Sequence, residues 1–396
     1  MLYTSAMLKE RYLTPFILDD LKDKMVFVGG PRQVGQTTLC RDFVAAQFKN
    51  PAYFNWDNRA DRKAISAAIW PGDADLLIFD EIHKYRQWKG FIKGEYDKHK
   101  ATFKFLVTGS SRLDIYKKGG DSLQGRYHYY RLHPFTLAEM MHNSEIPTVF
   151  GEFPLNRDFH RDTLESLDSF GGFPEPFTKQ SKRQLRRWHN EKIERMFRED
   201  IRDIEAIRDI GNMKLLSDIL PVKVGSRLSL NSIREDLEVS HRAVTHWMDI
   251  LEAFYYHFRI YPYSAKKIRS LKKEPKLYLW DWSEVGDEAK RFENLMASHL
   301  LKFVHFLTDH EGYRAELSYL RDVDKREVDF LVTIDGRPWF AVEAKLNDTI
   351  LSPHLRYFKE RLSIPFIYQV VKKDKVDLLE KEGRVVSAGK FLAGLV

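Results

Sequence analysis

The chain has 396 residues, too many for one ordinary core, so two or three domains are expected. Hydrophobic residues at 43% and charged residues at 31% exclude a disordered or low-complexity chain. The 64 Lys and Arg against 57 Asp and Glu leave a formal charge of +7, which tilts weakly toward a polyanionic partner.

The segment MLYTSAMLKERYL lacks the apolar stretch and cleavage site of a signal peptide. Residues 8–22 then carry apolar positions at helical spacing. Strand-like runs follow at Met25–Val28, Ala52–Trp56, Leu76–Phe79, Phe103–Val107 and Tyr127–Leu132, alternating with polar helical text. That order is the signature of an α/β domain with a largely parallel sheet. From about Leu137 to His257 the text is mostly helical, broken by GGFPEPF (Gly171–Phe177). Beyond it, Lys276–Leu279, Val328–Ile334, Trp339–Ala344 and Phe366–Val371 read as strands with helical text such as Asp287–His305 among them, and a second, smaller α/β domain is expected there. The longest apolar runs are strand-sized, far short of a membrane span. A single cysteine, Cys40, excludes a disulfide framework and a zinc cluster and suits a reducing compartment, so a cytoplasmic protein is expected.

The first chemical motif follows the first strand: Gly30, Pro31, Arg32, Gln33, Val34, Gly35, Gln36, Thr37 and then Thr38. Its spacing is that of a P-loop, GxxxxGK[ST], set between a strand and a helix. Backbone N–H groups of such a loop cradle phosphate at a helix N-terminus, and Thr37 would hold Mg2+. The lysine of the pattern is absent, and Gln36 stands in its place. A second motif, Leu76-Leu77-Ile78-Phe79-Asp80-Glu81, is an apolar strand ending in two acids, the Walker B arrangement. There Asp80 would hold the Mg2+ shell and Glu81 would polarise the attacking water. A further strand ends in Thr108-Gly109-Ser110-Ser111-Arg112, whose polar residues are placed to sense a γ-phosphate.

Two other constellations carry chemistry. Within Leu228–Leu251, apolar residues at Ile233, Leu237, Val244, Met248 and Leu251 suit two packed helices, a helix-turn-helix in outline. His241, Arg242 and Thr245 would then face a DNA groove, or the module serves only as packing. The basic run just beyond, with Lys266, Lys267 and Arg269, is suited to phosphates. Toward the C-terminus, Glu343 and Lys345 alternate out of an apolar strand and so share a face. Asp329 opens the strand one hairpin earlier, and Glu293 lies on the preceding helix. Three carboxylates and a lysine in this order fit the (Asp/Glu)…(Asp/Glu)-x-Lys metal-nuclease pattern, with acids for Mg2+ and the lysine for water; a surface hairpin with paired charges reads the same way.

The stretches GPRQVGQTTL, LLIFDEIHK, FLVTGSSRL, SLQGRYHYYRLHPFTLAEM, GGFPEPF, FREDIRDI and KREVDFLV…FAVEAK together resemble the prokaryotic AAA-type ATPases fused to a C-terminal restriction-endonuclease-like domain. The resemblance spans roughly Leu8 to Lys345. It implies an α/β chain divided into an N-terminal helix and P-loop ATPase core (1–140), a helical lid (141–210), a winged-helix-like module (211–264) and a PD-(D/E)xK nuclease-like domain (265–396). It implies ATP and Mg2+ bound by Gly30–Thr37, Asp80 and Glu81, with a sensor-like Ser110. It also makes Arg126 the first arginine-finger candidate, ahead of Arg112 and Arg131. A finger supplied by a neighbouring subunit implies a homo-oligomer. Gln36 departs from the family pattern: an amide keeps hydrogen bonding but loses the cation. It is either a deliberate inactivating replacement, which the intactness of the other elements favours, or the mark of a natively poor ATPase.

Three functions follow as expectations. The first is a Mg2+-dependent ATPase acting on duplex or branched DNA, crippled here by Gln36. The second is a nucleotide-gated switch whose nuclease-like domain binds without cutting. The third is an ATP-regulated, Mg2+-dependent nuclease. No membrane partner is expected.

Overall fold

The computed structural model describes residues 10–109, 123–142, 145–155, 158–201, 209–264 and 273–396. They form two compact units, Met1–His133 and Pro134–Val396.

The first unit is built on five parallel strands: β1 (Met25–Gly29), β2 (Pro51–Asn55), β3 (Leu76–Asp80), β4 (Lys104–Thr108) and β5 (Tyr127–Arg131). Their order is β2-β3-β4-β1-β5. The apolar runs of the sequence place every strand to within one residue at either end, for a physical reason. In a parallel sheet both faces are covered, so inner strands are unbroken apolar text. All five residues of β1 and of β3 are buried, whereas edge strands β2 and β5 each bury one residue fully and leave the others half-buried or exposed. Helices Arg59–Ala67 and Trp88–His99 make the crossovers on either side of β3. Asn58 caps the first of them, accepting from the N–H groups of Ala60 and Asp61. Val28 lies level with Thr108 on one side, and Asp80 lies level with Thr108 on the other. The loops after β1, β3 and β4 therefore open side by side at the carboxyl edge, where open α/β sheets bind ligands. The expected N-terminal helix over 8–22 is shorter, Thr14–Asp20, with Pro15 in its first turn.

The second unit begins with helices: Arg161–Phe170, Pro174–Lys179, Lys182–Arg195, Ile210–Lys223, Leu230–Asp236 and His241–Ala253. An eight-stranded mixed sheet follows, ordered β12-β13-β11-β10-β9-β8-β6-β7. Its strands are β6 (His257–Pro262), β7 (Lys276–Leu279), β8 (Ala315–Arg321), β9 (Glu327–Ile334), β10 (Arg337–Lys345), β11 (Phe366–Val371), β12 (Asp377–Leu379) and β13 (Arg384–Ser387). The expectation of a smaller second α/β domain is corrected: this sheet is the larger of the two. Strands β6 and β8 had no signal because their texts, HFRIYP and AELSYLR, mix charge with apolar residues. Helix Pro353–Leu362 crosses from β10 to its parallel neighbour β11 and buries Leu355 and Phe358. Helix Glu288–Asp309 is capped by the Asp287 side chain and packs against β7, β8 and β10.

Buried polar groups pin the start of this unit to that long helix. Lys302 Nζ lies 2.8 Å from both Glu139 Oε2 and Thr136 Oγ1. The Leu137 N–H donates to His299 Nε2 at 3.1 Å, and His299 Nδ1 meets the Leu295 carbonyl at 2.8 Å. Those two partners fix the tautomer: the proton is on Nδ1 and the ring is neutral. No helix among the described residues is long and apolar enough to cross a membrane.

Candidate functional site

The P-loop segment runs off the carboxyl end of β1. Gly30 has φ +150 and Gly35 φ +100, and a Cβ on Gly30 would sit 2.5 Å from the Leu132 carbonyl oxygen. Only glycine fits there. Arg11, 3% exposed, braces the loop from behind by donating to the Val34 carbonyl at 2.6 Å and to the His133 carbonyl. Gln36 turns its amide onto backbone, donating to the Gly109 carbonyl at 2.9 Å and more weakly to that of Val28 at 3.4 Å.

Thr37 Oγ1 donates to Asp80 Oδ2 at 3.0 Å, so the hydroxyl and the carboxylate from the two motifs meet. These are hard oxygen donors of the kind Mg2+ takes. Tyr53, on β2, donates its hydroxyl to the same Asp80 oxygen at 2.5 Å. Burial raises the Asp80 carboxyl above the usual range, and the neighbouring Glu81 charge adds to this; the bonds from Tyr53 and Thr37 work against it. Glu81 adopts a left-handed φ of 57, an uncommon backbone state for a residue with a side chain. Its carboxylate lies 3.2 Å from Lys84 Nζ, and Lys84 also pairs with Asp57 at 2.5 Å.

Arg126 sits at the amino end of β5, the end away from the P-loop, where its guanidinium makes a two-point pair with Asp97 at 2.8 and 3.2 Å. Arg131, at the other end of the strand, lies level with Gly29. Ser110, Ser111 and Arg112 lie outside the described residues, as do Lys266, Lys267 and Arg269.

In the second unit the structure gathers Glu293, Asp329, Glu343 and Lys345. Lys345 Nζ pairs with Glu343 Oε1 at 2.8 Å. The Asp329 N–H donates to Glu343 Oε2 at 3.3 Å, and Asp329 Oδ2 accepts from the Ala344 N–H at 3.0 Å. Burial pushes the Glu343 carboxyl up to about 8 and Glu293 up to about 7, with the Asp329 charge contributing to both. Three residues that sequence reasoning passed over complete the group. Lys276 contacts Glu293, Glu327 and Asp329 at 3.2, 2.9 and 3.1 Å, and Tyr278 donates to Glu293 Oε1 at 2.7 Å. The available signal was a lysine opening a strand whose every residue is buried.

Helices Leu230–Asp236 and His241–Ala253 pack through Ile233, Val244, Met248 and Leu251, and Ser240 caps the second. His241 and Arg242 are exposed, and Thr245 is half-buried, its hydroxyl turned back onto the His241 carbonyl at 2.9 Å. The antiparallel pair β6–β7 follows them. A separate group, His189, Asp281 and Glu284, brings three donor atoms within 4.8 Å. Lys192 already bridges its two acids. Burial alone would raise the Asp281 carboxyl; Lys192 and His189 hold it below its usual value instead.

Residues 22–141 match a family model described as an AAA domain. Residues 161–285 and 289–391 match two domains of unknown function, DUF8612 and DUF4143. With a five-stranded parallel sheet and a P-loop-like segment after β1, the first unit is thus similar to AAA-type P-loop domains. The chain is similar to uncharacterized protein MJ1544 of Methanocaldococcus jannaschii, at 22% identity covering 86% of this chain and 79% of that protein. It is also similar to uncharacterized protein Rv2008c of Mycobacterium tuberculosis, at 22% identity covering 82% and 71%. Among solved structures, the Thermotoga maritima RuvB Holliday junction branch migration motor aligns at 19% identity with a TM-score of 0.30, covering 66% of this chain and 94% of that one. That score is too low to establish a common arrangement.

Proposed function

We propose that this chain is an ATP-binding, Mg2+-dependent AAA-type ATPase that acts on DNA from the cytoplasm, with turnover crippled by Gln36. The observation that carries the reading is the meeting of Thr37 and Asp80 at the carboxyl edge of the parallel sheet. In this reading the amides of Gly30–Thr38 cradle the phosphates, and Thr37 and Asp80 hold the ion, which neutralises charge on the β- and γ-oxygens when bound. Glu81 orients the attacking water once it leaves Lys84. Ser110 senses the γ-phosphate, and a neighbouring subunit of a homo-oligomer supplies the arginine finger. Arg126 fills that role once it leaves Asp97.

The amide of Gln36 supplies no cation as charge develops, and losing one such contact costs about 2–4 kcal/mol, roughly 30- to 1000-fold in rate. Residues 211–264 serve as a winged-helix-like module, with His241, Arg242 and Thr245 toward DNA, and Lys266, Lys267 and Arg269 just beyond it bind phosphates. The lid spans 141–210, and the nuclease-like domain from 265 onward binds DNA without cutting it. This last choice is favoured by Lys276, whose ammonium already engages the acids that hydrolysis would require.

The test is ATP hydrolysis by this chain beside Gln36→Lys, with and without duplex and branched DNA. The lysine variant is expected to turn over at least thirtyfold faster and to be stimulated by DNA. If neither protein hydrolyses ATP under any condition, the reading fails and a nucleotide-gated switch replaces it.

A further inference from the structure

Lys276 is 2% exposed and stands at the first position of β7. An ammonium has three N–H donors and no acceptor, and Lys276 faces three carboxylates: Glu327 Oε1 at 2.9 Å, Asp329 Oδ1 at 3.1 Å and Glu293 Oε1 at 3.2 Å. They come from β9 and from the helix Glu288–Asp309. Two of their other oxygens are engaged as well: Glu327 Oε2 accepts from Arg321 at 2.5 Å and Asp329 Oδ2 from the Ala344 N–H. Beside them, Glu343 Oε1 accepts from Lys345 at 2.8 Å. Gly225 closes the group from above, its Cβ position only 3.0 Å from Glu293 Oε2.

The donor set does not fit a divalent ion in this arrangement. Mg2+ and Ca2+ need oxygens at about 2.0–2.6 Å, and the carboxylates here surround a nitrogen at hydrogen-bonding distance. Among the described residues, the His, Cys, Asp or Glu group with three donor atoms all within 4.8 Å is His189, Asp281 and Glu284, not this cluster. The charges agree with the geometry. Counted as ionised, four acids face Lys276, Lys345 and Arg321, and removing the buried ammonium leaves an excess of two negative charges.

We propose that Lys276 is the resident cation of this cluster: it holds the place of a divalent ion, and replacing it with a neutral side chain turns the cluster into a site for a hard divalent cation. Lys276 holds this place whether or not the domain handles DNA.

The test is Mn2+ binding to the full-length chain at pH 8, read from the loss of the free-ion paramagnetic resonance signal. The proteins are the parent, Lys276→Met, Asp329→Asn and Lys276→Met/Asp329→Asn, all carrying Asp80→Asn to silence the P-loop acid. The parent and Asp329→Asn are expected to bind alike and weakly. Lys276→Met should gain one site at least tenfold tighter than any in the parent, and the added Asp329→Asn should abolish it. A parent site lost in Asp329→Asn overturns the proposal, and so does a Lys276→Met protein that gains none. If Lys276→Met is unfolded without metal, recovery of its thermal transition on adding Mg2+, absent in the double variant, supports the proposal. An unfolded variant that no divalent ion restores overturns it.

Discussion

Acidification from pH 7 to pH 5 is expected to cost the second unit a calculable amount through two buried histidines, while the raised Glu343 and Glu293 carboxyls work in the opposite sense. His299 is fully buried, donates from Nδ1 to Leu295 and accepts from the Leu137 N–H at Nε2, so a second proton breaks a buried hydrogen bond. His257 is also fully buried, with Nε2 on the Met248 carbonyl. Burial pushes both imidazoles down from an ordinary 6.5 to about 3, with the nearby Lys302 and Arg259 charges adding to it. Below pH 6.5 the unfolded chain therefore binds protons that the folded chain refuses. Stability from these groups is present above pH 6.5 and is lost as the pH falls toward 3. Between pH 7 and 5 each histidine contributes a loss of about 2 kcal/mol, and the two together about 4. The assay is urea unfolding followed by tryptophan fluorescence at several pH values, with the imidazole C2 protons followed by NMR in the folded protein. Relative to the parent, His257→Phe should remove an acid-side loss of about 1.4 kcal/mol per pH unit between pH 6.5 and 5. If either ring titrates near 6.5 in the folded protein, or the difference in urea midpoint between the parent and His257→Phe stays constant from pH 7 to 5, the argument is wrong.

Lys302→Met removes the buried ammonium from the Glu139 carboxylate and is expected to cost about 3–5 kcal/mol, with Glu139→Gln on the same chain recovering part of it; a loss below about 1 kcal/mol in chemical denaturation would show that the pair is not desolvated. Gly30→Ala drives a methyl into the Leu132 carbonyl at a φ of +150, costing about 1–3 kcal/mol and weakening binding of a fluorescent ATP analogue. Unchanged affinity in that variant would remove the P-loop from nucleotide binding. Arg11→Met strips donors from the Val34 and His133 carbonyls, so amides of residues 30–37 should exchange hydrogen faster, with global stability falling by about 1–3 kcal/mol. Unaltered exchange there would mean the loop does not rely on that brace.

Legibility tracked how local each signal was. The five strands around the P-loop announced themselves because a covered parallel strand has no polar face to break its text, and the carboxyl-edge motifs came with them. The helix pair 230–253 was visible for a similar reason, since Ile233, Val244, Met248 and Leu251 repeat at helical spacing. Glu343 and Lys345 were placed on one face by strand alternation alone. Lys276, Tyr53 and Arg11 were invisible because their partners lie 17 to 53, 27, and 23 to 122 residues away, a fact of tertiary pairing. The amide of Gln36 is an intermediate case: its position was plain, but not that it would bond the Gly109 carbonyl 73 residues on.

The eight-stranded sheet does not respect the boundary between the two domains of unknown function. Strands β6 and β7 lie in one matched region and β8 to β13 in the other. The seam is joined where Tyr261 and Pro262 run beside Ser318 and Tyr319, and where the buried Asn294 amide exchanges two 2.8 Å hydrogen bonds with the backbone of Leu279. A fragment begun at Ala289 would bare the flank of β8 as an unpaired edge, strand a buried amide and leave the acids without Lys276. Such an edge is a template for pairing with other chains, so a separately expressed C-terminal piece should aggregate where the joined segments stay dispersed.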